Sequence, residues 1–265
     1  MSRPSVLLFT DVDGCLLNKH DYTYTDALPV LQKVHEVKWP VILCSSKTAS
    51  ELTVLARELR LSSAPLICEN GARIVWQGDG FGTERSTVCR IHRNTVLKSL
   101  DRLSKEFRFR SFTDLKLEGV MQVTDLPKEA AVRAMDREGT EPILWDDDPK
   151  LIADFEHELM VEGLTLTLGG RFWHVAGRTT KGDAMQQVTK CYGTSVKGAL
   201  RTIAIGDSPI DQPMLDRADF PIGIPTPDGG YDVSISRQGM FATMPGAAGW
   251  AECVRRLLDQ IHAKD

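Results

Sequence analysis

Residues 9–17 read "FTDVDGCLL" and set Asp11 and Asp13 one residue apart, directly after the apolar run Val6-Leu7-Leu8-Phe9. Carboxylates at i and i+2 of an extended segment project to the same side, so both can face one substrate. One of them can attack phosphorus and form an aspartyl-phosphate, which divides a difficult hydrolysis into two easier steps. The other can protonate the leaving oxygen and later take a proton from the attacking water. Gly14 lets the chain bend away after the pair. An Asp-rich turn on a solvated loop has the same two letters, so the motif gains meaning only from what accompanies it.

Three further stretches accompany it. "LCSSKT" (43–48) offers Ser45 and Ser46, "TTKGDAM" (179–185) offers Lys181, and "IGDSPIDQPML" (205–215) offers Asp207 and Asp211. Carboxylates suit Mg²⁺, a hard ion that takes oxygen ligands and keeps some of its waters. A hydroxyl, an ammonium and free backbone N–H groups suit phosphate. The inventory describes a phosphoryl group held against a magnesium ion, which would keep Asp11 ionised while Asp13 carries the proton.

The elements that must position these groups can be read from apolar runs. Short continuous runs end at Thr10, Cys44, Cys68 and Gly206, as expected of parallel strands covered on both faces. Helical spacing appears over 25–38 (Leu28, Leu31, Val34), over 48–60 (Leu52, Leu55, Ala56, Leu59) and over 180–192 (Ala184, Met185, Val188, Cys191). The second of these opens with Thr48 and Glu51 at capping-box spacing. This βα alternation predicts a doubly wound α/β parallel sheet, whose strand ends converge on one crevice.

The middle of the chain reads differently. After the glycine-rich "ARIVWQGDGFG" come charged helices at about 94–107, 127–138 and 148–162. Strand candidates at 141–145, 164–169 and 171–175 are interleaved with them. The expectation is an inserted α+β unit over 83–177, set into a core made of residues 1–82 and 178–265.

Composition narrows the function classes. With 42% hydrophobic and 26% charged residues, 265 residues can bury a large core. Lys plus Arg number 32 against 36 acidic residues, a net charge of −4 that gives no reason to expect a nucleic-acid partner. No apolar run approaches the roughly 20 residues needed to span a bilayer, so no membrane partner is expected. "MSRPSVLLF" is too short for a signal peptide, and the six scattered cysteines read as free, mostly buried thiols of a reducing compartment. A cytoplasmic protein is expected. Nothing in the sequence sets its oligomeric state.

In this order and setting, the four stretches resemble the motifs of the haloacid-dehalogenase superfamily of phosphohydrolases: D-x-D, a Ser or Thr at a strand end, a Lys, and G-D-x-x-x-D. The insertion resembles the α+β cap of a subclass that includes many sugar phosphatases. "LCSSKT", "ENGA", "EPILW", "GLTLTLGGRFWHV" and "GDSPIDQPML" together are similar to the mannosyl-3-phosphoglycerate phosphatase family over nearly the whole chain. That resemblance implies a phosphorylated sugar-glycerate substrate carrying mannose or glucose. One alternative is a broader range of phosphomonoesters, since the four motifs do not encode the substrate. Another is a catalytically silent binding domain of the same fold, against which the intact set Asp11, Asp13, Lys181 and Asp207 argues. The resemblance implies Asp11 as nucleophile, Asp13 as general acid/base, and Mg²⁺ held by Asp11, the Asp13 carbonyl and Asp207, with Asp211 in support. Ser45, rather than Ser46, would bind phosphate together with Lys181. Cys15 departs from the usual Thr or Ser of D-x-D-G, and Ile210 departs from the usual Asn before the last Asp.

Within the insertion, Arg171 beside Gly169 and Gly170 is a candidate bidentate clamp for the glycerate carboxylate, against a solvated arginine at a strand edge. Glu141 is a candidate for the sugar pocket, as is Trp145, which could equally be core. His174 reads as structural, and Asn70 either sets a left-handed turn or braces the active-site loop. The acidic "WDDDP" (145–149) reads as helix capping, not a second metal.

Overall fold

A computed structural model describes residues 6–77, 85–88, 91–193, 200–235 and 239–262. Cys89 and the glycines 78, 80 and 82 of the expected turn lie outside the described residues.

The first βα units follow the sequence pattern closely: β1 (Val6–Asp11), α1 (Leu28–Glu36), β2 (Val41–Cys44), α2 (Ala49–Glu58) and β3 (Leu66–Cys68). At the start of α2, the Thr48 side chain accepts the Glu51 N–H while the Glu51 carboxylate accepts the Thr48 N–H. This reciprocal pair satisfies two amides that have no partner inside the helix. Then come β4 (Arg73–Trp76) and β5 (Arg85–Val88), followed by α3 (Arg93–Leu103), β6 (Phe109–Ser111), α4 (Phe112–Thr124), α5 (Lys128–Met135) and β7 (Thr140–Trp145). After α6 (Ile152–Val161), β8 (Leu164–Leu168) and β9 (Trp173–Gly177), the chain returns through α7 (Lys181–Gly193), β10 (Arg201–Gly206), α8 (Gln212–Leu215), β11 (Phe220–Gly223), β12 (Met240–Phe241) and α9 (Gly246–His262).

Among the described residues, eight strands form one sheet in the order β12-β11-β10-β1-β2-β3-β4-β5. The pairs from β12 through to β3 are parallel, whereas the β3–β4 and β4–β5 pairs are antiparallel, so β4 runs against the other strands. The sheet is therefore mainly, not wholly, parallel. β1 alternates its side chains between two cores, as the period of an extended strand requires. Val6 and Leu8 join α1, α2 and α9 on one face, and Leu7 and Phe9 join α7 and α8 on the other. Both faces are covered, which is the doubly wound arrangement.

The second sheet runs β6-β7-β9-β8, antiparallel throughout. Ile143, Leu164, Leu166 and Val175 on one of its faces pack against α3 and α6. Strand β5 lies inside the span 83–177 expected as the insertion, yet it pairs with β4 and extends the eight-stranded sheet. β9 starts two residues later than expected and leaves Arg171 in the turn before it, closed by the Gly169 N–H on the Phe172 carbonyl at 2.8 Å. The expected helix at 148–162 begins as a single 3-10 turn over Pro149–Leu151 before α6. Helix α4 has no counterpart in the sequence reading. Its backbone breaks at Lys116 (φ 56°, ψ −176°), so Leu115 does not continue the helical phase of Leu117, Val120 and Met121.

Candidate active site

Strand order reverses beside β1, because the chain moves to β2 on one side and returns later to β10 on the other. The crevice at such a switch point is where open α/β sheets bind ligands. Asp11 ends β1, Ser45 follows β2 and Asp207 follows β10, so three separate motifs meet there.

Lys181, the first residue of α7, is 2% exposed and reaches between two carboxylates. Its ammonium donates to Asp11 Oδ1 and to Asp211 Oδ1, the latter at 2.6 Å. Asp211 is wholly buried, and its Oδ2 accepts the N–H groups of Asp207 (3.2 Å) and Ser208 (3.1 Å) and the Ser208 hydroxyl (2.9 Å). Both oxygens of Asp211 are thus engaged in holding Lys181 and the turn that presents Asp207. Ile210 lies within that turn, a 3-10 stretch over Pro209–Asp211.

The turn after β1 is tight, with the Gly14 N–H on the Leu17 carbonyl at 2.8 Å and Gly14 at φ +91°. A Cβ at Gly14 would sit 2.5 Å from Asp207 Oδ2, so the close approach of the two motifs needs glycine. Asp13 Oδ2 pairs with Lys47 Nζ at 2.9 Å, while Asp13 Oδ1 is buried with no hydrogen-bond partner among the described residues. Ser45 is 1% exposed, and its hydroxyl accepts the Lys47 N–H at 3.2 Å. Asn70 serves both of its candidate roles: its backbone is left-handed (φ 57°) and its N–H donates to the Ser45 carbonyl at 2.9 Å.

Electrostatics single out the same groups. Burial pushes the Asp11 carboxyl well above the ordinary carboxylate range; Lys181 opposes this, and Asp211, Asp207 and Asp13 add to it. Burial and Asp211 raise Asp207 too, against Lys19, whose Nζ is 3.3 Å from Asp207 Oδ2. For Lys181, burial disfavours the ammonium, but Asp11 and Asp211 outweigh it and hold the proton firmly. Cys15 is buried, its Sγ is 3.9 Å from Asp207 Oδ1, and burial with Asp207 and Asp11 keeps it a neutral thiol.

One ligand atom each from Asp11, Cys15 and Asp207 lie within 4.8 Å of one another, a group that could hold a metal ion. Two buried carboxylates, each resisting ionisation, supply the hard oxygen donors that a divalent cation stabilises. Cys15 lies beside Asp207, and its sulfur is a soft donor that suits Mg²⁺ poorly. The donor set therefore fits Mg²⁺ through its oxygens. Beside it, Gly14, Lys19, His20, Asp207, Pro225 and Pro245 line a cleft of about 170 Å³.

Two residues active in this geometry escaped the sequence reading. Lys47 stands inside the quoted "SSKT", where only its hydroxyl neighbours drew notice, and Lys19 closes on Asp207 across 188 residues of chain. Neither contact has a local signal.

Among the described residues, none of the candidates at 141–174 makes a hydrogen bond or ion pair to Asp11, Asp13, Lys181 or Asp207. Glu141 is wholly buried, bonded to Arg93 Nε at 2.7 Å and accepting the Thr113 N–H (2.8 Å) and hydroxyl (2.9 Å). It braces α3 and the start of α4, with both oxygens engaged. Arg171 donates to the carbonyls of Val123 (3.4 Å) and Thr124 (3.2 Å), closing the C-terminal end of α4, and remains largely exposed. Trp145 packs at tilted ring angles against Phe107 and Phe155, beside the apolar cluster of the second sheet. His174 is buried, and burial with Arg137 lowers its pKa to about 3, so it is a neutral imidazole. Asp146 and Asp147 of the acidic run pair with Arg110 and Arg108, and Asp148 caps the 3-10 turn.

The profile of a family described as haloacid dehalogenase-like hydrolase matches residues 8–117. A glucosyl-3-phosphoglycerate/mannosyl-3-phosphoglycerate phosphatase of Persephonella marina is 34% identical over 97% of this chain and 98% of its own length. A protein of the same name from Methanococcoides burtonii is 34% identical over 95% of this chain and 97% of its own. Among solved structures, a haloacid dehalogenase-like hydrolase from B. subtilis superposes with a TM-score of 0.64 at 18% identity, covering 95% of this chain and 99% of the other. No helix among the described residues is long and apolar enough to cross a membrane.

Proposed function

The chain belongs to the haloacid dehalogenase-like hydrolases and is a phosphoric monoester hydrolase of the sugar-phosphate kind, and on that premise we propose that it removes phosphate from mannosyl-3-phosphoglycerate and its glucosyl counterpart. The observation that carries the mechanism is the buried Asp11 carboxylate at the end of β1, held by Lys181 and facing Asp207.

An Asp11 oxygen attacks phosphorus, the P–O bond to the glycerate oxygen breaks, and that oxygen takes a proton from Asp13. Water then attacks the aspartyl-phosphate, gives a proton back to Asp13, and releases phosphate with Asp11 restored. Lys47 fixes Asp13 Oδ2 and leaves Oδ1, which has no hydrogen-bond partner among the described residues, for the travelling proton. Ser45 and Lys181 bind the phosphoryl oxygens. Asp11, Asp207 and the Asp13 carbonyl would hold Mg²⁺, which neutralises charge on the phosphoryl group. Asp211 acts on this site through Lys181 and the Asp207 turn.

The substrate half of the reading is supported by the two relatives, each similar over nearly its whole length and bearing both sugars in its name. Phosphate release from the two glycosyl-3-phosphoglycerates, beside a panel of simple sugar phosphates, tests it with Mg²⁺ and with EDTA. A strong, metal-dependent preference for the glycosyl-3-phosphoglycerates is expected. Level activity across the panel would discard the named substrates.

A further inference from the structure

Glu69 follows β3, is 1% exposed, and adopts a left-handed backbone (φ 53°) that residues with a side chain rarely accept. A buried carboxylate is costly unless donors replace its water. For Glu69 those donors come from the insertion, around the start of β7. Its Oε1 accepts the Glu138 N–H at 2.9 Å, and its Oε2 accepts the Gly139 N–H (3.1 Å), the Thr140 N–H (2.8 Å) and the Thr140 hydroxyl (2.7 Å). The approach is close: a Cβ at Gly139 would lie 2.7 Å from the Ala72 Cβ.

The backbone of the same segment faces the other way. The Glu69 N–H donates to the Lys47 carbonyl and the Asn70 N–H to the Ser45 carbonyl, each at 2.9 Å. That loop carries the phosphate-binding hydroxyl and the lysine that pairs with Asp13. Two contacts reinforce the seam: Arg137 donates to the Ser46 carbonyl at 3.3 Å, and the Thr48 hydroxyl donates to the Arg133 carbonyl at 2.7 Å. Among the described residues, the Glu69 side chain makes no hydrogen bond to Asp11, Asp13, Lys181 or Asp207.

We propose that Glu69 is a positioning residue: it seats the insertion on the phosphate-binding loop, so that binding of the sugar-glycerate part of the substrate depends on it while phosphoryl transfer does not. The named substrate rests on the reading above; the tie itself rests on the contacts.

The test is Glu69→Gln, with p-nitrophenyl phosphate as a substrate too small to need the insertion. The new amide nitrogen faces N–H donors, so at least one donor of the insertion loses its acceptor. KM for mannosyl-3-phosphoglycerate should rise on the order of tenfold, with kcat/KM for p-nitrophenyl phosphate changed less than about twofold. Amide hydrogen exchange at Gly139 and Thr140 should accelerate in the same variant. Equal losses on both substrates, or unaltered exchange at those amides, would overturn the proposal. Should Glu69→Gln fail to fold, Thr140→Val removes one donor to Glu69 together with an acceptor of Arg137 and must give the same split at smaller size; equal losses there overturn it as well. If the wild type hydrolyses neither glycosyl-3-phosphoglycerate, the substrate reading has failed, and the split between the best sugar phosphate and p-nitrophenyl phosphate, with the exchange data, still decides the tie.

Discussion

Lys181 Nζ stands 2.6 Å from Asp211 Oδ1, both side chains are almost wholly buried, and the same ammonium also holds Asp11. Asp211 thereby links the turn after β10 to the group that must attack phosphorus. Removing one partner of a buried ion pair leaves an uncompensated charge. Asp211→Asn should destabilise the protein by about 3 kcal/mol and lower kcat by on the order of a hundredfold, as Lys181 loses its second anchor. Urea unfolding and steady-state rates on one preparation measure both. Unchanged kcat would remove the positioning role.

Gly14 makes a second relationship testable. With φ at +91° and a Cβ blocked 2.5 Å from Asp207 Oδ2, Gly14→Ala must move the Asp207 carboxylate. Activity should fall by roughly a hundredfold, and the Mg²⁺ concentration for half-maximal rate should rise. A rate and metal response equal to wild type would separate Asp207 from metal binding.

The raised pKa values of Asp11 and Asp207 make metal stabilisation depend on pH. A carboxyl whose folded pKa exceeds its unfolded one favours the folded state at low pH, and that contribution is lost as pH rises through the folded value. Without a cation, these buried charges therefore weigh against folding near neutrality. Mg²⁺ relieves them there and competes with protons in acid. Thermal unfolding with and without Mg²⁺ should give a larger rise in Tm at pH 7.5 than at pH 5. An equal rise at both would contradict the carboxylate site.

His174 acts in the acid range with the opposite sign. Its folded pKa of about 3 lies below the ordinary value of 6.5, so its contribution is present above pH 6.5 and is lost as pH falls toward 3. Between pH 7 and 5, wild type should lose about 2 kcal/mol more stability than His174→Gln, from the proton that only the unfolded chain binds. Parallel pH profiles for the two proteins would show that His174 is not held neutral.

The sequence made the crevice legible because its parts sit at the ends of strands with continuous apolar runs. Asp11, Ser45 and Asp207 each follow such a run, and the Thr48–Glu51 cap announced the start of α2. Strand direction at the edge was not legible, since the short apolar run of β4 carries no mark of being antiparallel. Helix α4 hid behind the break at Lys116, although Ser111 and Asp114 form a capping box in the structure and stand at that spacing in the sequence. In the sequence, Arg171 is marked by residue type and its two neighbouring glycines, and Glu141 by residue type alone. Their partners, Thr124 and Arg93, lie 47 and 48 residues away, and no local pattern encodes such pairings.

The central claim is that Asp11 carries the phosphoryl group. Asp13→Asn removes both the acid of the first step and the base of the second. With p-nitrophenyl phosphate, whose leaving group departs without an acid, only the second step should slow and the intermediate should accumulate. Rapid acid quench of this variant with substrate, followed by peptide mass spectrometry, should find one phosphoryl group on the peptide containing Asp11 and none in Asp11→Asn. Phosphate release without any such adduct, or an adduct that survives Asp11→Asn, would contradict the account.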